Sequence, residues 1–452
     1  MLSKQREDLN AIIVPSGRMT RRTLLKRASA IGLLGWLLEA CDTPATTNTS
    51  TATGGTPVTI TWESEHDDKG IYSLLVQTFN NTNMDGIRVN YINGPPDSGQ
   101  QHDEITSQLQ KGQGPDVLSM DVIWTDEFAS NKWIVPLSDQ YTWPGSERSK
   151  YLSVPLQAAT AQGKIWAAPF RTDVGLLYYR TDITLTPPKT WAELITQAEQ
   201  AQSSGQTKYG YVWQGAWYEG LVCDFVEVME SFGGHVLDPN DPTKVTVNSS
   251  GALQALTEMV SWVGTISPSA IITFKEGDTL STFQSGDAAF MRNWLYAYSE
   301  SSDASQSRVA GKFDVAPLPS NTLSAMGHSC IGGWQLALNA FSSKQKQDAA
   351  WQFIRFLIQE DAQQFAAING AFTVTLQSIY SNRYVLEQNP FFAKLGPIFQ
   401  QARLRPRPNS PRYQDISKAI QKRVYQALTK QSTPIAALNA LQTDLQQIVS
   451  NK

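Results

Sequence analysis

From residue 58 onward the chain alternates strand and helix patterns. In "PVTITWESEH" the apolar Val58, Ile60 and Trp62 alternate with Thr59, Thr61 and Glu63, the period of a strand with one buried face. A helix carrying Ile71, Leu74, Leu75 and Phe79 on one side follows, and "IRVNYI" repeats the strand pattern. A helix near residues 101 to 111 then brings Ile105 and Leu109 together, and "PDVLSMDV" reads as a short buried strand. Strands separated by helices pair in parallel through right-handed crossovers, so an α/β body is expected. At 452 residues the chain exceeds one compact core, which predicts two lobes.

Helices dominate the rest. "PPKTWAELITQAEQA" holds a capping box, Thr190 with Glu193 three positions on. Leu253, Leu256, Val260 and Val263 mark an amphipathic helix. "KQKQDAAWQFIRFLIQEDAQQFAAING" reads as one long helix with Trp351, Ile354, Ile358 and Phe365 facing one way and Gly370 as its stop. Two more helices are expected near the end, the second started by Thr433 and Pro434. Two stretches, "APFRTDVGLLYYRTD" and "GHSCIGGWQLALNA", read as chain passing through a constriction, where glycine permits the close approach or unusual angles that a hinge needs.

Residues 1–41 read as a targeting segment: a basic "RRTLLKR" with the twin arginines Arg21 and Arg22, the apolar "ASAIGLLGWLL", then Ala40 and Cys41. "LEAC" resembles a bacterial lipobox, in which the cysteine is lipidated and becomes the mature N-terminus; Glu39 departs from the small or apolar residue usual there. Residues 42–57 are polar and of low complexity, a flexible tether. Apolar runs of roughly 18 or more residues are absent elsewhere, so the body is expected to be exported and to meet the membrane only through a lipid on Cys41. Of the other cysteines, Cys223 and Cys330, sequence leaves open whether they pair or remain free buried thiols.

A net charge of −4 provides no basic footprint for nucleic acid. The four histidines have no metal-binding spacing, "GHSCI" carries Ile331 where a nucleophile elbow needs glycine, and "GQGPDV" lacks the third glycine of a dinucleotide fingerprint. No catalytic residue, metal or cofactor is therefore assigned. The aromatic share is high, with 13 Trp, 15 Tyr and 17 Phe. In "FQSGDAAFMRNWLYAY", Trp294, Tyr296 and Tyr298 stand beside Arg292 and Asn293, which fits either core packing or a polar ligand held against aromatic faces. Asp121, Asp126, Glu127 and Asp173 could serve a glycoside hydrolase or accept hydrogen bonds from sugar hydroxyls, and the residues alone leave both open.

Six segments in order, "MDVIWTDEF", "DVGLLYYRTD", "YVWQGAWYEGLVCDFVE", "FQSGDAAFMRNW", "GGWQLAL" and "RPRPNSPRYQDISKAIQ", closely resemble the trehalose/maltose-type sugar-binding proteins of bacterial and archaeal ATP-driven importers. The resemblance runs from about residue 58 to the end. It implies a two-lobe, periplasmic-binding-protein-like fold of type II with sugar in the cleft. Residues 58–171 and 336–371 would form the N-terminal lobe, 177–331 and 377–452 the C-terminal lobe, and 172–176, 332–335 and 372–376 the hinge. It also implies that Asp121, Asp173 and Asp68 accept hydrogen bonds from the sugar, that Trp294, Tyr296 and Trp334 line it, that Gly333 brings main chain close, and that Arg407 reaches a hydroxyl. Arg171 departs from the family's aromatic residue, and Gln101 with His102 stand where an arginine is expected. The implied partners are a di- or oligosaccharide and the membrane permease of an ABC importer, served by a monomer. A glycoside hydrolase, or a protein presenting sugar to a sensor, is the rival reading.

Overall fold

The computed structural model describes residues 57–325, 327–401, 403–405 and 407–450. The expected targeting segment, Cys41 and the tether up to residue 56 lie outside the described residues. Strands β1 (Val58–Ser64), β2 (Ile87–Asn93) and β3 (Val117–Asp121) alternate with helices α1 (Ile71–Thr82) and α2 (Ser98–Leu109), and β1 pairs in parallel with both β2 and β3. The expected alternation of β1 holds only as far as Trp62, because Glu63, Ser64 and the following Glu65 are buried too. They lie at the carboxyl end of the strand, the edge where ligands bind in α/β sheets. In α1 the buried stripe is Ile71, Tyr72, Leu75, Val76 and Phe79, with Leu74 half-buried.

Strands β4 (Ala168–Val174) and β5 (Leu176–Arg180) are consecutive yet belong to different sheets. The second sheet adds β6 (Tyr209–Val212), β7 (Ala288–Asn293) and β8 (Phe313–Ala316), in the order β8–β5–β7–β6. The chain changes sheet at Gly175, where a Cβ would lie 2.2 Å from Glu227 Oε1 and 2.5 Å from Arg292 Nη2. Only glycine fits. Strand β9 (His328–Leu338) returns to the first sheet, antiparallel to β3 and β4, with Trp334 opposite Asp121 and Gly333 opposite Thr172. The segment at Thr373 and Val374 lies beside β4, since Thr172 N donates to Thr373 O at 3.1 Å and Arg171 pairs with Val374.

Helices α3 (Trp191–Ser203), α4 (Glu219–Ser231), α5 (Ser250–Trp262), α6 (Glu276–Gln284) and α7 (Tyr296–Ser302) accompany the second sheet, with α3 and α6 packing on β6 and β7. The capping box of α3 is present, with Thr190 Oγ1 accepting from Glu193 N at 3.2 Å and Glu193 Oε2 from Thr190 N at 3.3 Å. The stripe expected for α5 is rotated: Ala252, Ala255, Leu256, Met259 and Trp262 are buried, Leu253 and Val260 only half-buried, and Val263 lies past the helix. Helix α5 packs against α4 and against the later helices Tyr413–Leu428 and Pro434–Ser450.

The single long helix expected near residue 350 is two, α8 (Lys344–Leu357) and α9 (Glu360–Gly370). Glu360 and Asp361 occupy the first turn of α9, where the helix dipole favours acids, and Gln363 Nε2 reaches Phe170 O at 3.0 Å. Gly370 is not the stop either. Ala371 takes the left-handed conformation, φ 52°, while Gly370 lies where a Cβ would be 3.0 Å from Ile71 Cγ1. Helices α10 (Tyr413–Leu428) and α11 (Pro434–Ser450) follow as expected.

Most aromatic residues are core. Trp62 packs with Tyr72, Phe170 and Phe353 in the first lobe, and Trp191, Tyr211, Trp213 and Trp262 in the second. Among the described tryptophans only Trp217, Trp294 and Trp334 escape burial. No helix of the described residues is long and apolar enough to cross a membrane.

Candidate functional site

Those three tryptophans line one cleft of about 810 Å³ between the lobes. All eight residues assigned from the resemblance line it: Asp68, Asp121, Asp173, Trp294, Tyr296, Gly333, Trp334 and Arg407. Asp126 and Glu127 do not; Glu127 Oε2 is instead bound to His102 Nε2 at 2.7 Å.

Asp173, at the end of β4, accepts from Val174 N at 2.9 Å and Leu295 N at 2.8 Å, both at Oδ1. Its Oδ2 takes no hydrogen bond from the described residues. Burial pushes this carboxyl up to about 6, against the pull of the two main-chain donors and Arg171. Asp121, the last residue of β3, accepts at Oδ1 from Ile123 N and Arg407 Nη2, each at 3.3 Å. Burial raises its carboxyl above the ordinary range, opposed chiefly by Arg407.

Trp294 is half-buried, with its ring over the Arg292 guanidinium at 3.9 Å and its Nε1 donating to Glu276 Oε1 at 3.2 Å. Arg292 is itself fully buried, bound through Nε and Nη2 to Glu227 at 2.9 and 2.6 Å and through Nη1 to Gln214 at 3.1 Å. The mixture in "MRNWLYAY" thus divides: Arg292 and Asn293 are a buried polar base and Trp294 and Tyr296 face the cleft, whereas Tyr298 stacks on Phe391 at 3.8 Å.

Trp334 meets Trp124 edge-on at 5.7 Å. Gly333 has φ 131°, and a Cβ there would lie 2.3 Å from Arg171 O, so β9 and β4 can approach only without a side chain. Asp68 is exposed at the rim, while its neighbour Asp67 is buried and accepts from Tyr72 N at 2.7 Å. Arg407 is buried and braces the lobes, with Nη1 on Glu219 Oε1 at 2.7 Å and Nη2 on Asp121 and on Ile331 O at 3.4 Å.

Several lining residues were not found from sequence. Glu65 is buried, accepts from the Tyr72 hydroxyl and lies 3.6 Å from Arg171 Nη1; the lost alternation at the end of β1 was its signal. Arg171 stacks on Phe372 at 3.8 Å and donates to Tyr72 Oη at 3.1 Å. Lys275 Nζ, at the mouth, pairs with Asp97 Oδ2 at 3.0 Å, joining a second-lobe helix start to a first-lobe loop. Cys223 also lines the cleft, and Cys223 and Cys330 are free buried thiols.

Two α/β lobes facing each other across such a cleft define a binding protein of the periplasmic type. Residues 49–364 match the family model described as bacterial extracellular solute-binding protein. A probable ABC transporter-binding protein of Deinococcus radiodurans is 37% identical over 350 residues, 75% of this chain and 81% of that protein. The maltose-bound MalE3 of T. maritima has a TM-score of 0.78 and 36% identity, covering 86% of this chain and 99% of that one. A solute-binding protein of Thermotoga lettingae TMO, bound with alpha-D-tagatose, shares the fold at TM-score 0.74 and 22% identity, over 87% and 100%. The chain belongs to the bacterial extracellular solute-binding proteins, the non-enzymatic receptors of ABC transporters. The hydrolase reading falls with that membership.

Proposed function

We propose that the protein captures a di- or oligosaccharide, an α-glucoside such as trehalose or maltose, and delivers it to an ABC importer. The observation that carries this is the meeting of Trp294, Trp334 and Tyr296 with the open oxygen of Asp173 in one cleft. A sugar presents apolar C–H faces and hydroxyl edges, so its site needs aromatic planes for the first and strong acceptors for the second. The maltose bound by a relative at 36% identity supports an α-glucoside.

In this reading Trp294, Trp334 and Tyr296 cover the faces of the sugar, and Asp173, Asp121 and Asp68 accept from its hydroxyls. Gly333 brings main chain near, and Arg407 turns its guanidinium to the edge of the ligand while bracing the lobes. Each charge-assisted bond contributes about 1.5–3 kcal/mol where water is excluded, so the lobes must close to make the acids effective. Closure occurs about residues 172–176, 332–335 and 372–376 and presents one composite surface to the permease. A lipid on Cys41 holds the monomeric body at the outer face of the cell membrane. Titration calorimetry with trehalose, maltose and maltotriose, with tagatose as a control, tests the reading. Heat is expected with at least one α-glucoside, and silence with all of them overturns it.

A further inference from the structure

The chain has three cysteines in 452 residues, and two of them, 107 positions apart, meet where α4 packs on β9. Cys330 Sγ lies 3.7 Å from the main-chain oxygen of Cys223. The Cys223 side chain, to which it hydrogen-bonds, and burial hold the Cys330 thiol well above its ordinary range. Buried thiols are most often inert apolar filling. Here the two side chains are held face to face. Cys330 N donates to Glu227 Oε1 at 2.9 Å, and Cys330 O accepts from Gly175 N at 3.2 Å. Glu227 follows Cys223 by four residues on α4, so the helix face that grips the main chain of β9 also carries Cys223.

One of the two also has a route to solvent. With Glu219 and Gly220, one turn earlier on α4, Cys223 lines the cleft, and Cys330 lies behind it. A reagent entering the cleft therefore meets Cys223 first. The family is extracellular, a setting in which disulfides form and persist.

We propose that Cys223 and Cys330 are a thiol–disulfide couple, oxidised through the cleft by a small disulfide and then joining α4 to β9. Cys223, having lost its proton, attacks the S–S bond of the oxidant; a mixed disulfide forms and one small thiolate leaves, taking up that proton. Cys330 then gives up its proton and attacks the Cys223 sulfur, and a second small thiol departs. Two protein thiols are oxidised, one disulfide molecule is reduced to two thiols, and no other reactant is needed. The bond meets β9 before Gly332, Gly333 and Trp334, so the cleft-lining part of the strand stays free. By closing a loop of more than a hundred residues, it constrains the unfolded chain and stabilises the folded one.

The test exposes the full chain, without sugar or denaturant, to oxidised glutathione and maps its peptides without reduction. A peptide linking Cys223 to Cys330 is expected, lost on adding dithiothreitol, and the mapping keeps it apart from any product at Cys41. The linked form should melt a few degrees above the reduced form, and oxidant should produce no such shift in Cys330→Ser, where Cys223 instead retains glutathione. Two thiols that both remain open to alkylation after the oxidant overturn the proposal, as does wild-type protein carrying glutathione on Cys223 with no link. A linked form that melts no higher than the reduced one overturns the stabilising role, and an unmodified Cys330→Ser overturns entry through Cys223. Since no sugar is present, none of these results bears on the saccharide reading of the cleft.

Discussion

Asp173 shows how one side chain couples affinity to acidity. Its carboxyl lies near 6 because burial disfavours the charge, whereas an unfolded chain ionises it near 3.9. Between those values the folded form holds the proton more tightly, so this group's stabilising contribution is full below about pH 3.9 and is lost as pH rises through about 6. Hydroxyl donors bind the ionised form more strongly, and neutral sugars do not titrate there. Affinity should therefore be flat above about pH 7 and fall by up to roughly tenfold between pH 7 and 5. Calorimetry at several pH values checks this, and Asp173→Asn should bind more weakly but without that step. A step that persists in Asp173→Asn would place the titrating group elsewhere.

At the scale of elements, patterns in sequence predicted what local chemistry determines and missed what tertiary contact decides. The crossover rhythm of β1 to β3, the Thr190 cap and the start of α11 were legible because neighbours in sequence fix them. The division between α8 and α9 was not, since the buried Ile358 continues the apolar stripe across it and the contact that accompanies the break, Gln363 to Phe170, joins residues distant in sequence. Likewise the residues alone offered Asp121, Asp173 and Trp294 only beside Asp126, Glu127 and Tyr298, which do not line the cleft, and the resemblance was needed to separate them. Burial of Glu65 and the brace at Arg407 depend on strands and helices distant in sequence. Ala371 ends α9 with positive φ, where a Cβ costs about 1–2 kcal/mol. Ala371→Gly should accordingly raise the midpoint of thermal unfolding by a few degrees, an increment readable by calorimetry, provided Phe372 keeps its place. A lowered midpoint would mean that the alanine methyl contributes packing instead.

For the molecule as a whole, the Asp97–Lys275 pair spans the mouth of the cleft with both partners substantially exposed. Such a pair contributes about 0–1 kcal/mol and is screened by salt, so it biases closure without enforcing it. Lys275→Ala should weaken sugar affinity by no more than about fivefold and reduce its dependence on ionic strength; a loss of about thirtyfold or more would make Lys275 a ligand contact. The placement of β9 between β3 and β4 has a different consequence. While a ribosome is still making the chain, β3 has emerged with one edge open, and that edge stays open until Leu338 has been added. The lobe whose synthesis starts first thus cannot close its sheet until a much later strand has been made, and a nascent chain released before that point would carry an uncapped sheet, a ready template for aggregation.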